Sequence, residues 1–454
     1  MKTTADTRTQ TVDASLAAEP SIGYAWYVVI ILMVCYTLSF VDRQVLGLLV
    51  QPIQQDLGIS DTRIGLLGGL AFALFYTFLG MPIGWYADSH SRRNIIVVGV
   101  FFWSLMTALC AAARSFWSLF LARMGVGVGE ATLAPCAMSI ISDYFPKERL
   151  GTALSVYGMG IFIGAGLANI VTGAVVQAVR DLPAVTVPIL GTIASWRLSF
   201  LLVGLPGVLV ALLVFTVREP ARRNLLRRAD GAVSRLSFGE IFQQIGLRWQ
   251  SVLSISLAMG FQSACNYAML FWAPTFFVRV HGWTSSQAGY VLGVIILVMG
   301  CLGIYAGGLL CDRWQKMKVS EAPLKVGFIG GIGAAITGSL AMLSPSASWT
   351  IALLVPTFFF TSLPVGSSYA SLQIIFPSQM RGQISAVFLF GINLFGLTLG
   401  PLWPGLFNDY LFRSGAMVGY SLAVTLAISG LANAFFYRLP YRIYRIHYRM
   451  LHGE

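Results

Sequence analysis

Apolar residues run through the chain in twelve long segments parted by short polar breaks. The segments are 24–50, 62–86, 94–113, 117–142, 151–178, 196–217, 249–278, 285–311, 324–344, 348–376, 382–411 and 416–437. A helix crosses the hydrocarbon core of a bilayer with about 20 apolar residues. The pattern therefore predicts an all-α membrane protein with twelve transmembrane helices. Gly and Pro recur inside the segments, as in Gly125-Val126-Gly127-Val128-Gly129. Small residues of this kind let membrane helices approach closely.

The longest polar stretch, 218–248, divides six segments from six. It predicts a tail (1–23), a six-helix bundle (24–217), a linker (218–248), a second six-helix bundle (249–437) and a basic tail (438–454). A weak internal repeat agrees. Gly84-x-x-x-Asp88 ends the second segment and Gly308-x-x-x-Asp312 the eighth. Phe145-Pro146 with Gly151 likewise matches Phe376-Pro377 with Gly382. Parallel six-helix repeats are a transporter architecture, with the substrate site between the halves near mid-membrane.

Composition narrows the class. Of 454 residues, 56% are hydrophobic and 11% are Asp, Glu, Lys or Arg, where a soluble domain has roughly 25% charged residues. Too little polar surface is available for a soluble enzyme or a nucleic-acid binder. Six cysteines (35, 110, 136, 265, 301 and 311) lie in or beside apolar runs without a C-x-x-C pair, and read as small buried hydrophobes. No prosthetic group or metal is implied. The absence of clustered His, Cys or Asp and of a Gly-x-x-x-x-Gly-Lys-Ser/Thr loop argues against an enzyme or an ATP-driven pump.

The net charge of +12 changes the picture only through its distribution. With the N-terminus inside, the cytoplasmic segments hold 22 Lys or Arg and the opposite side six. That asymmetry favours both termini in the cytoplasm, and the polar start of the chain lacks the order of a signal peptide. It accounts for the basic balance without nucleic acid. Arg438, Arg442, Arg445 and Arg449 share one helical face, as an amphipathic helix on anionic lipid or as a topology-fixing tail.

Two acids fall inside segments, Asp42 in the first and Glu130 in the fourth, together with Arg43 and Arg123. Each such charge costs a few kcal/mol to insert, so four together point to function. Arg123 and Glu130 are seven apart and share a helix face. Asp42 and Arg123 both fall in the outer half of the bilayer, so an Asp42–Arg123 contact is expected, with Arg43 and Glu130 nearby. A neighbouring arginine and burial act on a carboxylate in opposite directions. Rocking halves would change the contact, and with it the proton affinity. Asp42 and Glu130 are thus the candidate proton carriers, without a choice between them. Arg43 and Arg123 form the charge network that would meet an anionic head group.

Gly84-Trp85-Tyr86-Ala87-Asp88-Ser89-His90-Ser91-Arg92-Arg93 resembles the G-x-x-x-D-R-x-G-R-R loop of the major facilitator superfamily. Ser89 stands where that loop has a basic residue, and Ser91 where it has glycine. The resemblance implies a conformational latch at Gly84, Asp88, Arg92 and Arg93, with Asp312 and Arg313 as its second-half counterpart. Asp42-Arg43, Phe102-Trp103-Ser104-Leu105, Phe116-Trp117, the stretch Arg123 to Ala131, Ala134-Pro135, Ile163-Gly164, Gly166-Leu167, Trp196-Arg197, Leu205-Pro206-Gly207 and Arg218-Glu219-Pro220 resemble the spinster family of that superfamily. This match is dense over residues 36–220 and thin beyond. It implies a secondary transporter of sphingolipids or lysophospholipids, proton-coupled by alternating access, with the four intramembrane charges at functional positions. The anion–cation symporter branch shares the Asp-Arg pair, which keeps a small organic anion or drug open as cargo.

An amphipathic cargo needs an apolar wall and a polar end. Candidate cavity residues are Asn266, Tyr267, Phe271 and Trp272 in the seventh segment, Tyr369 in the tenth, Asn393 in the eleventh, and Phe72 and Tyr76 in the second. The expected partners are a small amphipathic or anionic substrate, protons and membrane lipids. The expected state is a monomer in the bacterial inner membrane.

Overall fold

In the computed structural model, residues 21–87, 89–180, 185–187, 191–220, 243, 245–376 and 381–452 are described. The helices of the first part are α1 (Ile22–Leu48), α2 (Val50–Leu57), α3 (Asp61–Gly68), α4 (Leu70–Ala87), α5 (Arg92–Leu109), α6 (Phe116–Glu130), α7 (Leu133–Tyr144), α8 (Lys147–Arg180), α9 (Ser195–Gly204) and α10 (Pro206–Val214). Those of the second part are α11 (Trp249–His281), α12 (Ser285–Lys316), α13 (Ala322–Met342), α14 (Ala347–Ser362), α15 (Pro364–Ile374), α16 (Arg381–Leu406), α17 (Val418–Arg438) and α18 (Tyr441–His452). Several pairs join end to end, as α3 and α4 do at Gly69 and α14 and α15 at Leu363-Pro364.

Eleven helices among the described residues are long and apolar enough to cross a membrane. They match eleven of the twelve apolar segments. The twelfth, 249–278, forms the 33-residue α11. Ser251, Ser254, Gln262, Ser263 and Asn266 dilute its hydropathy, and Ser251, Ser254 and Gln262 are buried within the protein. The helix can carry them because it faces protein.

Polar side chains mark the helix starts. Ser21, Ser60, Ser115 and Ser346 each accept a backbone N–H of the first turn, satisfying donors that a helix leaves unpaired. Thr284 and Gln287 cap α12 reciprocally. One local departure from all-α character is a short hairpin between α8 and α9, Val185–Val187 against Gly191–Ile193, with Val185 opposite Ile193. Its β-branched residues suit extended backbone, and it lies outside the apolar segments.

Helices of the first part pack chiefly on one another, as α1 does on α8 and α5 on α6. The second part repeats this with α13 on α17 and α11 on α16. The parts meet along α8 with α12, α3 and α4 with α16, and α1 with α11. The basic C-terminal run forms α18, whose Tyr441 and Tyr444 are buried. Tyr444 Oη–H donates to the Ser371 carbonyl (2.8 Å) and Arg445 donates to Glu321 at 2.7 and 2.9 Å. Its tyrosine face is therefore committed to protein, while Arg438, Arg442 and Arg449 stay exposed.

Candidate functional site

α1 and α6 carry the intramembrane charges into the interior. Asp42, Arg123 and Glu130 are 0%, 1% and 1% exposed, so none of them faces lipid. The pairing differs from the expected one. Arg43 binds Glu130, with Nη2 2.5 Å and Nε 2.7 Å from Oε2. Arg123 donates from Nη1 to the backbone carbonyl of Asp42 (3.0 Å), not to its carboxylate. The reason is helical geometry. Successive residues point about 100° apart, so Asp42 and Arg43 face different neighbours.

Among the described residues, neither Asp42 carboxylate oxygen has a hydrogen-bond partner, and Glu130 Oε1 has none. Trp103 and Thr107 of α5 lie near the Asp42 carboxyl but do not reach hydrogen-bond geometry. Buried polar groups are normally paired. Arg43 is held by π faces as well as by charge. Its guanidinium carbon lies 5.0, 4.5 and 4.8 Å from the ring centres of Phe40, Phe72 and Tyr76.

Beside this network lies a narrow cavity of about 20 Å³, lined on one side by Phe40, Arg43, Gln44, Gly68, Phe72 and Arg123 and on the other by Tyr267, Leu270, Phe271, Leu397 and Pro401; that is room for about one water. One wall is cationic and the other largely apolar. Of the predicted cavity residues, Tyr267, Phe271 and Phe72 line it, and Tyr76 stacks on Phe72 at 5.1 Å. Trp272 does not. It is 0% exposed and donates its indole N–H to the Pro401 carbonyl (2.7 Å), tying α11 to α16. Asn266 and Asn393 are half-buried and stand apart from the lining. Tyr369 lies on α15 with its side chain outside the described residues.

The sequence reading missed Phe40, Gln44, Leu270, Leu397 and Pro401. Phe40, Arg43 and Gln44 fall at i, i+3 and i+4 on one helix face, and Leu397 and Pro401 at i and i+4. That spacing was available as a signal.

In the loop motif, Asp88 lies outside the described residues. Arg92 is the centre of what is described. It is 1% exposed, pairs with Asp143, and bonds Glu219 Oε1 and Ser139 (both 2.8 Å) and the Pro220 carbonyl (3.1 Å). The Arg93 amide donates to Glu219 at 2.8 Å. Ser91, at the position of the motif's glycine, caps α5 and donates to Glu219 at 3.1 Å. Burial raises the Glu219 carboxyl, but the Arg93 amide and Arg92 outweigh it and hold its pKa below the ordinary 4.5. Gly84 sits where α4 passes Pro135 of α7. Asp312 and Arg313 are exposed at the end of α12 and form no ion pair among the described residues. Sequence reading had not singled out Asp143 or Glu219 as partners of Arg92.

The model of the Major Facilitator Superfamily matches residues 32–401, and the chain belongs to that family. It is a multi-pass membrane transporter, not an enzyme. A solved structure described as a bacterial homolog to the human lysosomal transporter Spinster, inward-facing and unoccupied, superposes with a TM-score of 0.77 at 29% identity, covering 95% of this chain and 98% of that one. An MFS-type efflux pump of Mycolicibacterium smegmatis is 28% identical, over 93% of this chain and 94% of its own. A hexuronate transporter of Bacillus subtilis is 26% identical, over 87% and 93%.

Proposed function

We propose that this chain is a proton-coupled secondary transporter that moves an amphipathic, anionic lipid-like molecule of the sphingolipid or lysophospholipid class by alternating access. The observation that carries the reading is the two-sided cavity, with Arg43 and Arg123 on one wall and Tyr267, Leu270, Phe271, Leu397 and Pro401 on the other. A guanidinium binds a phosphate head by charge-assisted hydrogen bonds, and the apolar wall is the surface an acyl chain would pack on once the parts separate and widen the cavity. The spinster resemblance supports the same class.

In this reading the chain has twelve spans, α11 being the seventh, in two six-helix bundles joined by the 218–248 linker. Both termini face the cytoplasm of a bacterial inner membrane, and the unit is a monomer. Asp42 carries the proton, because no hydrogen bond to its carboxylate has to be displaced. Glu130 pairs with the Arg43 guanidinium and competes with an anionic head group for it, which couples cargo to the proton. Arg92 and Arg93, with Asp88 and Gly84, form the cytoplasmic latch, and Asp312 and Arg313 its weaker counterpart.

A second reading, a small organic anion or drug as cargo, is favoured by the likeness to the hexuronate transporter and the efflux pump. Uptake by proteoliposomes separates the two. Lysophospholipid uptake that rises with a pH gradient supports the lipid reading. Uptake of a hexuronate with none of any lipid overturns it.

A further inference from the structure

A charged surface at the C-terminal end plays no part in the transport reading. α17 crosses the membrane and ends at Arg438. Its exposed apolar residues Ile428, Leu431 and Phe435 face the bilayer, and the exposed Leu439 follows Phe435 by one turn. Pro440 then breaks the backbone ladder, having no N–H to give, and α18 starts at Tyr441. α18 therefore begins where the hydrocarbon ends. It is fastened to the second part of the chain at three points. His447 Nδ1 lies 3.1 Å from Ser251 Oγ in the first turn of α11. Tyr444 Oη–H donates to the Ser371 carbonyl of α15 (2.8 Å). Arg445 donates to Glu321, the residue before α13, at 2.7 and 2.9 Å.

These anchors fix the roll of the helix, and steps of about 100° per residue sort its positions into faces. Tyr441 and Tyr444 are buried against protein. Arg438, Arg442, Arg445 and Arg449 follow at spacings of four, three and four and form one stripe. Arg445 is taken by Glu321. Arg438, Arg442 and Arg449 are exposed and form no ion pair among the described residues; the Arg438 guanidinium carbon lies 4.6 Å from the Tyr441 ring centre. Residues 441–452 hold no acid that could neutralise them. Leu439 and Ile446, seven apart and both exposed, flank the stripe. A soluble anionic partner would account for the arginines but not for the two exposed aliphatic side chains beside them. Basic residues with exposed apolar neighbours, on a helix that starts where a span ends, are the composition that settles at an anionic bilayer surface.

We propose that α18 is an anionic-lipid-binding helix: Arg438, Arg442 and Arg449 hold the phosphate-bearing heads of the leaflet in which α17 ends, and Leu439 and Ile446 sit at the boundary with the acyl chains. A guanidinium meets a phosphate with two parallel N–H donors, and its long apolar stem lets the charge reach head-group level while the stem stays against hydrocarbon. Because the tyrosine face is tied to α15, and His447 and Arg445 to the starts of α11 and α13, lipid held by α18 braces the second part of the chain. The inference rests on the membrane-spanning fold and is independent of the cargo.

The experiment compares the full-length chain in nanodiscs of phosphatidylcholine alone and of phosphatidylcholine mixed with phosphatidylglycerol. It reads the melting temperature in each disc and, by native mass spectrometry, the phosphatidylglycerol that stays on the released protein. Wild type is expected to retain phosphatidylglycerol in preference and to melt higher in the mixed discs. Each arginine at an anionic surface contributes roughly fivefold. Arg438→Gln, Arg442→Gln and Arg449→Gln together should therefore lower the preference by about a hundredfold and erase the melting shift. The same three changed to Lys should keep most of it. Leu439→Ser with Ile446→Ser should weaken the preference by a smaller factor, with every charge in place. Lys316→Gln, Lys318→Gln and Arg413→Gln remove equal charge from exposed positions outside α18 and should leave the preference as it was. A triple-glutamine protein that is monodisperse, melts as wild type does in phosphatidylcholine and still retains phosphatidylglycerol overturns the proposal, since the lipid is then held elsewhere, as at Arg43 and Arg123. An equal loss in the control variant overturns it as well. So does glycerol phosphate that reproduces the melting shift in phosphatidylcholine discs, which assigns the stripe to a soluble anion.

Discussion

Glu130→Gln, Arg43→Met and their combination dissect the centre of the charge network. Arg43 and Glu130 meet at 2.5 and 2.7 Å, with side chains 10% and 0% exposed. Two unit charges about 4 Å apart attract by about 4 kcal/mol at an effective dielectric of 20. Removing one partner of a buried pair costs about 3–5 kcal/mol, because the other charge stays buried. The two singles should not be equal. Without Glu130, the guanidinium keeps Phe40, Phe72 and Tyr76, and cation–π contacts are worth about 0.5–2 kcal/mol. Without Arg43, the Glu130 carboxylate keeps Arg123 and Ser39 nearby but loses its ion pair. We expect losses of about 3 kcal/mol for Glu130→Gln and about 4 kcal/mol for Arg43→Met. The double variant should lose little more than either single, giving a coupling of about 3 kcal/mol. Unfolding of the purified protein in mixed micelles, titrated with SDS, reads all four corners of the cycle. Losses that add to within about 0.5 kcal/mol would show that the pair is not a unit, and the reasoning fails.

Arg92→Ala should be among the most destabilising changes at the end of the molecule nearer the termini, by about 3–5 kcal/mol, since it takes a buried guanidinium from Asp143 and from Glu219; Arg92→Lys should restore less than half, because a point charge cannot serve the Asp143, Ser139, Glu219 and Pro220 contacts together, and melting curves check both. Trp272→Phe should cost about 1–3 kcal/mol of stability by leaving the buried Pro401 carbonyl unpaired with cargo affinity unchanged, whereas Phe271→Ala should raise the transport KM; uptake kinetics beside melting separate the two. Glu219 and Glu321 both have pKa values held below the ordinary 4.5, burial being outweighed at Glu219 by the Arg93 amide and Arg92, and at Glu321 by Arg445. Their stabilisation is therefore present above about pH 4.5 and lost as pH falls through the lower folded values; melting temperature between pH 6 and pH 3 should fall less steeply in Glu219→Gln, and an unchanged slope contradicts the assignment.

Much of the architecture was legible because a bilayer forces it. With no water to satisfy the backbone, an apolar run of sufficient length must be a helix, and eleven of the twelve segments are such helices. α11 shows where the rule weakens: a long helix that faces protein carries Gln262 and Ser254, which a lipid-facing span would avoid. The four intramembrane charges were legible for the same reason, since their burial needs a purpose. Their pairing was not. Whether Arg43 or Arg123 reaches a carboxylate depends on helix rotation, and on the aromatic faces that Phe72 and Tyr76 present from α4. The Asp61–Arg279 ion pair was illegible for a different reason. Each residue sits at a helix end, where charges are ordinary, and only folding brings positions 218 residues apart into contact. The likeness of Trp272 to a cavity residue failed because an indole can equally well bond a backbone carbonyl, here that of Pro401.

The central claim is that the two buried acids couple a proton to movement of an amphipathic anion. Purified wild type, Asp42→Asn and Glu130→Gln in proteoliposomes, loaded with a labelled lysophospholipid and compared under an imposed pH gradient and in gradient-free exchange, test it most directly. The account predicts that the gradient drives net uptake by wild type, and that Asp42→Asn loses this drive while retaining exchange. Full gradient-driven uptake by Asp42→Asn would contradict it.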